Sequence, residues 1–324
     1  MRVVSLLPSA TEIVCAVGAR ADLVGISHEC DFPSGVERLP VLTRTRRALP
    51  RASAAIDRAV RELLVDALTV YELELDALRE VRPELIVTQD LCDVCAVALD
   101  DVRAALRELA REDVRVLSLK PTRLADVWED VRRVGRELGR GPAAESVAAE
   151  LERRCAALAL RAGAAARRPR VLSIEWLAPV MIGGTWMPEL IEIAGGEALV
   201  TKAGQHAPTL TLAELEQLDP EVVLIKPCGF DLARSTEELA LLREQLPWSR
   251  WSAVARGAVY LADGNAFFNR PGPRLVESAE ILAACAHPGL FPELAAKHAG
   301  SLRRVRADLE LEPVSPARGA SSAR

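Results

Sequence analysis

The sequence lacks a marked excess of charge, a long apolar run and a complete catalytic signature, and each absence narrows what the chain does. Its 46 acidic and 41 basic residues leave a formal charge of −5, which gives no electrostatic footprint for nucleic acid or for an anionic membrane. The opening MRVVSLLPSATEIV carries one basic residue and a short apolar run that stops at Pro8, unlike a secretory leader. No later apolar run is long enough to cross a bilayer, so no membrane insertion is expected. As it begins, the chain is expected to be cytoplasmic; a leader ahead of Met1, or one already removed, would make it periplasmic. There is no G-x-S-x-G elbow, no Walker A loop and no G-x-G-x-x-G turn in PSATE. A zinc deaminase needs H-x-E followed by P-C-x-x-C, but here Glu29 directly follows His28 and no proline precedes Cys92. Enzyme chemistry therefore rests on no complete constellation. Seven cysteines are an odd number in a chain of this length and do not suggest a small disulfide scaffold.

What is present is enough apolar residue, half of 324, to build more than one core. The pattern is α/β. RVVSLL reads as a strand and PSATEIVCAVG as the helix after it, with Ser9 as N-cap, Glu12 at capping-box spacing and Gly18 at the end. DLVGIS and LIVTQ read as further strands, and DDVRAALRELAREDVRVLSL as a helix and a strand. A first α/β lobe is expected over 1–120. Apolar residues at three- and four-residue spacing then predict a helical spine over 121–167. A second α/β lobe over 168–299 holds RVLSIEW, MPELIEIAGG, TLAELEQLDPEVVLIKP, GAVYLADG and a closing helix from PGPRLVESAEILAACA. The tail, 300–324, turns charged and then small and polar, and is expected to be disordered.

The unusual residues share a location. PSATE, SHECDFP, TQDLCDVCAV, EWLAP, GGTWMPE, KPCGFD and DGNAFFNRPGPR all follow predicted strands, and open parallel sheets bind ligands beyond the carboxyl ends of their strands. Two such edges facing each other would make a cleft between the lobes. Trp176, Trp186, Phe230, Phe267 and Phe268 fall in these loops although aromatics are only 4% of the chain. Flat apolar walls with a few polar groups suit a rigid, extended ligand; the competing expectation is that each ring plugs its own lobe.

RVVSLLPSATEIVCAVG with DLVGISHECDFP resembles the opening of the class III ABC-transporter substrate-binding proteins, and in particular their cobalamin-binding members. MPELIEIAGGEAL, LTLAELEQLDPEVVLI and VYLADGNAFFNRPGPRLVESAEIL resemble the matching blocks of the second half. The resemblance implies the helical-backbone metal receptor fold: two Rossmann-like lobes joined by a long helix, with the ligand cleft between them. It further implies a cobalamin-like corrinoid as ligand, and an ABC transporter or a corrinoid-using enzyme as receiver. Pro8, Ser9, His28 and Glu29 would line one side. Trp176, Trp186, Phe230, Phe267, Phe268, Asn269 and Arg270 would line the other. From their place in the strand-end loops alone, His206 is a ligand contact or an exposed loop histidine, and Cys228 faces the ligand or fills a turn. The departures are HEC and CDVC, which belong to a cysteine-containing branch.

His28, Cys30, Cys92 and Cys95 offer four soft or borderline ligands from two strand ends. They could bind zinc or iron, or give one axial ligand to a corrinoid metal, for which His28 suits cobalt as neutral imidazole. A Cys92–Cys95 redox pair and plain packing stay open beside these. So do two other functions: a binder of haem or another iron complex, and an enzyme using the cluster on a bound cofactor. Cys15, Cys155 and Cys285 fit helix cores, while His287 and His298 read as surface residues.

Overall fold

The computed structural model describes residues 1–46, 48–65, 70–89, 99–109, 111 and 113–314. They form two compact units, Met1–Glu152 with Pro271–Pro273, and Arg153–Arg270 with Arg274–Arg324. Among the described residues no helix is long and apolar enough to cross a membrane.

In the first unit the strands are β1 (Val3–Ser5), β2 (Leu23–Ile26), β3 (Thr43–Thr45), β4 (Tyr71–Leu73), β5 (Leu85–Gln89) and β6 (Arg115–Leu119). The helices are α1 (Pro8–Ala16), α2 (Ser53–Val65), α3 (Leu75–Val81), α4 (Leu99–Glu108), α5 (Leu124–Glu137) and α6 (Gly141–Ala162), the last running on into the second unit. The sheet order is β2-β1-β5-β6, all parallel, and β3 pairs antiparallel with β4 beside it. All five residues of β5 are buried. A parallel strand covered on both faces has no polar side to alternate with, which is why LIVTQ reads as an unbroken run.

Helix α1 begins two residues earlier than the capping-box spacing predicts. Leu7 is the N-cap, extended at φ −155° and ψ 150°, and Pro8 takes the first helical position. Proline is preorganised there and lacks the N–H that the position would leave unpaired. Ser9 is therefore inside the helix, 2% exposed, with its hydroxyl unpartnered, and Glu12 is buried rather than closing a box. Gly18, at φ +79°, does end this segment.

The predicted helical spine is built of two helices. Gly139 at φ +66° breaks it, and α5 and α6 fold against each other where Gly135 meets Ala144. A Cβ on Gly135 would lie 2.1 Å from that of Ala144. Arg132 ties α5 to Glu145 and Glu152 of α6, whereas Arg154, further along, bonds Glu277 and Glu280 of the second unit. The division between the compact units falls inside α6, between Glu152 and Arg153.

On α5, Asp130 is 3% exposed. Burial raises its pKa to about 6 against the opposing pull of Arg133, whose Nη1 donates to Oδ1 at 2.7 Å, while Oδ2 has no partner. A carboxyl whose folded pKa is raised favours the native state fully below its unfolded pKa, and that contribution is lost as pH climbs through 6. Asp130→Asn removes the loss. The unfolding free energy of the variant relative to wild type should move by roughly 2–3 kcal/mol in the variant's favour between pH 4 and pH 8. Urea denaturation at both pH values checks this, and a pH-independent difference would refute it.

In the second unit the strands are β7 (Arg170–Leu177), β8 (Val180–Ile182), β9 (Glu197–Ala198), β10 (Val222–Ile225), β11 (Val259–Ala262), β12 (Leu302–Val305) and β13 (Leu311–Pro313). Their order is β13-β12-β11-β10-β7-β8, with β9 on β7. β7, β10 and β11 are parallel, and β12 and β13 complete the sheet antiparallel. The expected disordered tail is thus corrected as far as residue 314: residues 302–305 and 311–313 are strands, and 315–324 lie outside the described residues. Charge misled the reading. The segment is held by its backbone, and the Ala307 carbonyl accepts from the Trp248 indole at 3.0 Å. Trp251 fills the core of this unit, and its indole donates to the Leu215 carbonyl at 3.2 Å.

Two histidines are also corrected. His298 is only 6% exposed and its Nε2 meets Glu280 Oε2 at 2.9 Å. Burial alone would raise Glu280, but hydrogen bonds from His298, Lys297 and Arg154 outweigh it and hold the carboxyl near 2. His287 is half-buried with Nε2 3.1 Å from the Gly195 carbonyl.

Candidate functional site

The second unit gathers polar and aromatic side chains where its parallel strands end. Ile225 of β10 pairs with Ile174 of β7, so Glu175 and Lys226, each one residue further on, emerge side by side. Lys226 is fully buried. Its ammonium donates to Glu175 Oε2 at 2.9 Å and to Asn269 Oδ1 at 2.8 Å. The Asn269 amide nitrogen donates in turn to the Gly264 carbonyl at 3.0 Å and the Lys226 carbonyl at 3.4 Å. A buried ammonium is tolerated only with such partners. Among the described residues Glu175 Oε1 has no partner, and the side chain retains 20% exposure. The result is a carboxylate fixed by one oxygen and open at the other.

An aromatic wall stands beside it. Trp176 follows Glu175 and meets Phe230 edge to face at 5.3 Å between ring centroids; its indole donates to the Ala178 carbonyl at 3.2 Å. Phe230 is 2% exposed, with the Arg234 guanidinium 3.8 Å above its ring. Asn269 is presented by a strained turn. Phe268 sits at φ +67°, a region that bulky residues rarely adopt, and is held there by the Ser278 hydroxyl on its N–H and the Trp186 indole on its carbonyl, at 2.9 and 2.8 Å. Trp186, Phe268 and Arg270 are buried, and Arg270 donates to Asn265 Oδ1 at 2.9 Å. These three hold the turn from inside. Phe267, half-buried, and His206 and Cys228, both exposed, have side chains that a ligand could reach.

In the first unit Pro8 and Ser9 open α1, and HEC follows β2. The Cys30 N–H donates to the Ser27 carbonyl at 3.1 Å, closing a turn that separates its side chains. His28 is exposed, with Nδ1 2.7 Å from Thr43 Oγ1 and its ring edge-on to Tyr71 at 5.1 Å. Glu29 accepts from the Tyr71 hydroxyl at 2.7 Å. Cys30 is 4% exposed, its thiol 3.1 Å from Thr11 Oγ1 inside the unit. Cys92 and Cys95 lie outside the described residues. Among the described residues no group of three or more His, Cys, Asp or Glu is placed to hold a metal ion; the expected four-ligand site has its two described members on different sides of one turn.

Sequence reading missed Lys226, Glu175 and Thr43. For Lys226 the signal was available: a lysine directly after the four apolar residues VVLI has no nearby water to reach. Thr43 had none, because it stands 15 residues from His28 on another strand.

Two α/β units whose parallel strands end in polar and aromatic loops define a protein that binds a small molecule. Residues 3–266 match the model of a family described as periplasmic binding protein, and the chain belongs to that family. A vitamin B12-binding protein of Photorhabdus laumondii subsp. laumondii is 21% identical over 283 residues, spanning 87% of this chain and 86% of that one. A periplasmic heme-binding protein from Pseudomonas aeruginosa has the same fold at TM-score 0.66 and 22% identity, over 89% of this chain and 92% of that one. The periplasmic vitamin B12-binding protein of Vibrio cholerae gives 0.60 and 18%, over 88% and 96%.

Proposed function

We propose that this chain binds a cobalamin-like corrinoid through the loops at the carboxyl ends of its parallel strands. The observation that carries the reading is Glu175: a carboxylate pinned by a buried lysine, open at Oε1 and flanked by the Trp176–Phe230 pair. Such an oxygen accepts hydrogen bonds and donates none. It therefore favours a ligand with amide arms, as corrinoids have, and disfavours carboxylate arms like those of haem. The relative from Photorhabdus laumondii points the same way. Haem is the second reading, favoured by the likeness in fold to the periplasmic heme-binding protein from Pseudomonas aeruginosa.

Calorimetric titration with cobalamin and with ferric haem tests the choice. Cobalamin is expected to bind more tightly, and Trp176→Ala to weaken it by about tenfold, the equivalent of one lost aromatic contact. Haem binding without corrinoid binding would overturn the reading. Delivery to an ABC transporter fits a periplasmic form of the protein, and delivery to a corrinoid-using enzyme a cytoplasmic one. Cell fractionation separates these two.

A further inference from the structure

We propose that the first unit carries a second small-molecule site, at the opposite ends of its strands from the ligand loops, and that it takes a small apolar monocarboxylate. A cavity of about 220 Å³ lies there, where α3 and α4 end. Leu78, Leu106 and Val114, all buried, form its apolar wall with Pro83, and half-buried Leu109 continues it. Pro83 and Val114 stand just ahead of β5 and β6, whose first residues pair with each other, so the cavity is at the amino ends of the parallel strands. A dry apolar cavity of roughly 150 Å³ holds one benzene ring, which sets the guest's size at a tail of several carbons. Among the described residues the charged groups lining the cavity are all arginines: Arg79, Arg82 and Arg111.

The charges leave room for one anionic group. Arg79 pairs with Asp76 at 2.9 Å and Arg111 with Asp113 at 2.8 Å, while the exposed Arg82 guanidinium has no partner among the described residues. Open carbonyls at a helix end attract cations, but here other arginines meet that need. Arg2 Nε donates to the Val81 and Arg82 carbonyls at 2.8 and 3.2 Å, and Arg111 to the Pro83 carbonyl at 3.1 Å. The backbone of Arg82 makes the same point. It closes α3 at φ 43° and ψ 63°, in the left-handed region where a Cβ is crowded and glycine is the usual occupant. The proline that follows bars a right-handed turn, a need that glycine would meet without strain. Arginine at this position is explained by its side chain. One unpaired guanidinium beside an apolar cavity matches a carboxylate on an apolar body. A phosphate dianion would bring one charge more than the lining can pair.

Calorimetric titration of the full chain with octanoate tests the site. One equivalent is expected to bind, and each methylene removed, through heptanoate to hexanoate, should weaken binding by about fourfold. Acetate should not compete, and octan-1-ol, with the same tail and no charge, should bind more weakly than octanoate. Arg82→Gln should lose roughly fivefold in affinity, the upper end for an exposed ion pair. Arg82→Gly should lose as much without lowering the melting temperature, because it relieves the left-handed turn. A melting temperature well below wild type would make Arg82 a structural residue and overturn its role. Carbon-13 methyl spectra should place the shifts caused by octanoate on Leu78, Leu106 and Leu109. No binding, or shifts confined to other leucines, would overturn the proposal. So would an affinity independent of tail length, which would mean an adventitious ion only. If octanoate fails to bind and sedimentation shows a dimer that Leu109→Gln dissolves, the cavity belongs to a contact between copies of the chain and the proposal falls.

Discussion

Replacing Lys226 with methionine is expected to lower the unfolding free energy by roughly 2–4 kcal/mol, measured by urea denaturation. The loss is more than that of one hydrogen bond, because the ammonium is the sole cation bonded to Glu175 Oε2 among the described contacts and a partner left charged and half-buried is the larger penalty. The 20% exposure of Glu175 lets water recover part of it, which puts the figure below that of a fully buried pair. Glu175→Met combined with Lys226→Met should regain most of the stability, since two apolar groups leave no uncompensated charge. Corrinoid affinity should not return with it. A single variant as stable as wild type would show that the ammonium is not a structural cation, and a double variant that binds as wild type would remove Glu175 from the site.

Gly264→Ala is the second large effect. A Cβ there would lie 2.1 Å from the Pro227 carbonyl oxygen and 2.7 Å from that of Lys226. Both are backbone atoms following β10, so no side chain can rotate aside. Overpacking of this kind costs about 1–3 kcal/mol, occasionally more, and the upper end is expected because the Gly264 N–H also donates to the Phe230 carbonyl at 2.9 Å. The same shift carries away the carbonyl that holds Asn269. Thermal unfolding should show the stability loss, and a cobalamin titration of the folded fraction should show weaker binding. A folded variant with unchanged melting and affinity would mean that the loop yields freely.

Which parts of this were legible in the sequence follows from how local each cause is. The strand Leu85–Gln89 could be read because complete burial leaves its own mark on five consecutive residues. The start of α1 was placed two residues late because two local rules competed: the serine spacing suggested a cap, while the proline before it fits the first helical turn. The last strands were missed because their sequence is charged and their stability comes from pairing with β11, far back in the chain. The Glu175–Lys226 pair depends on the register between β7 and β10, and the hydrogen bond on His28 depends on Thr43 standing next to β2's end. No pattern confined to a single window encodes a contact across 51 or 15 residues. The strand-end loops were therefore recognisable as a set, while the atoms that make one of them an acceptor were not.

The two strands at the end of the described chain have a practical consequence. β11, whose Val259, Tyr260, Leu261 and Ala262 are all buried, is an interior strand only because β12 and β13 lie outside it. A chain trimmed at residue 300, where composition suggests that order ends, would leave β11 as an apolar edge with open backbone donors and acceptors. Such an edge recruits strands from neighbouring molecules, so the shortened protein would tend to self-associate, and any fusion or deletion is better placed after Val314.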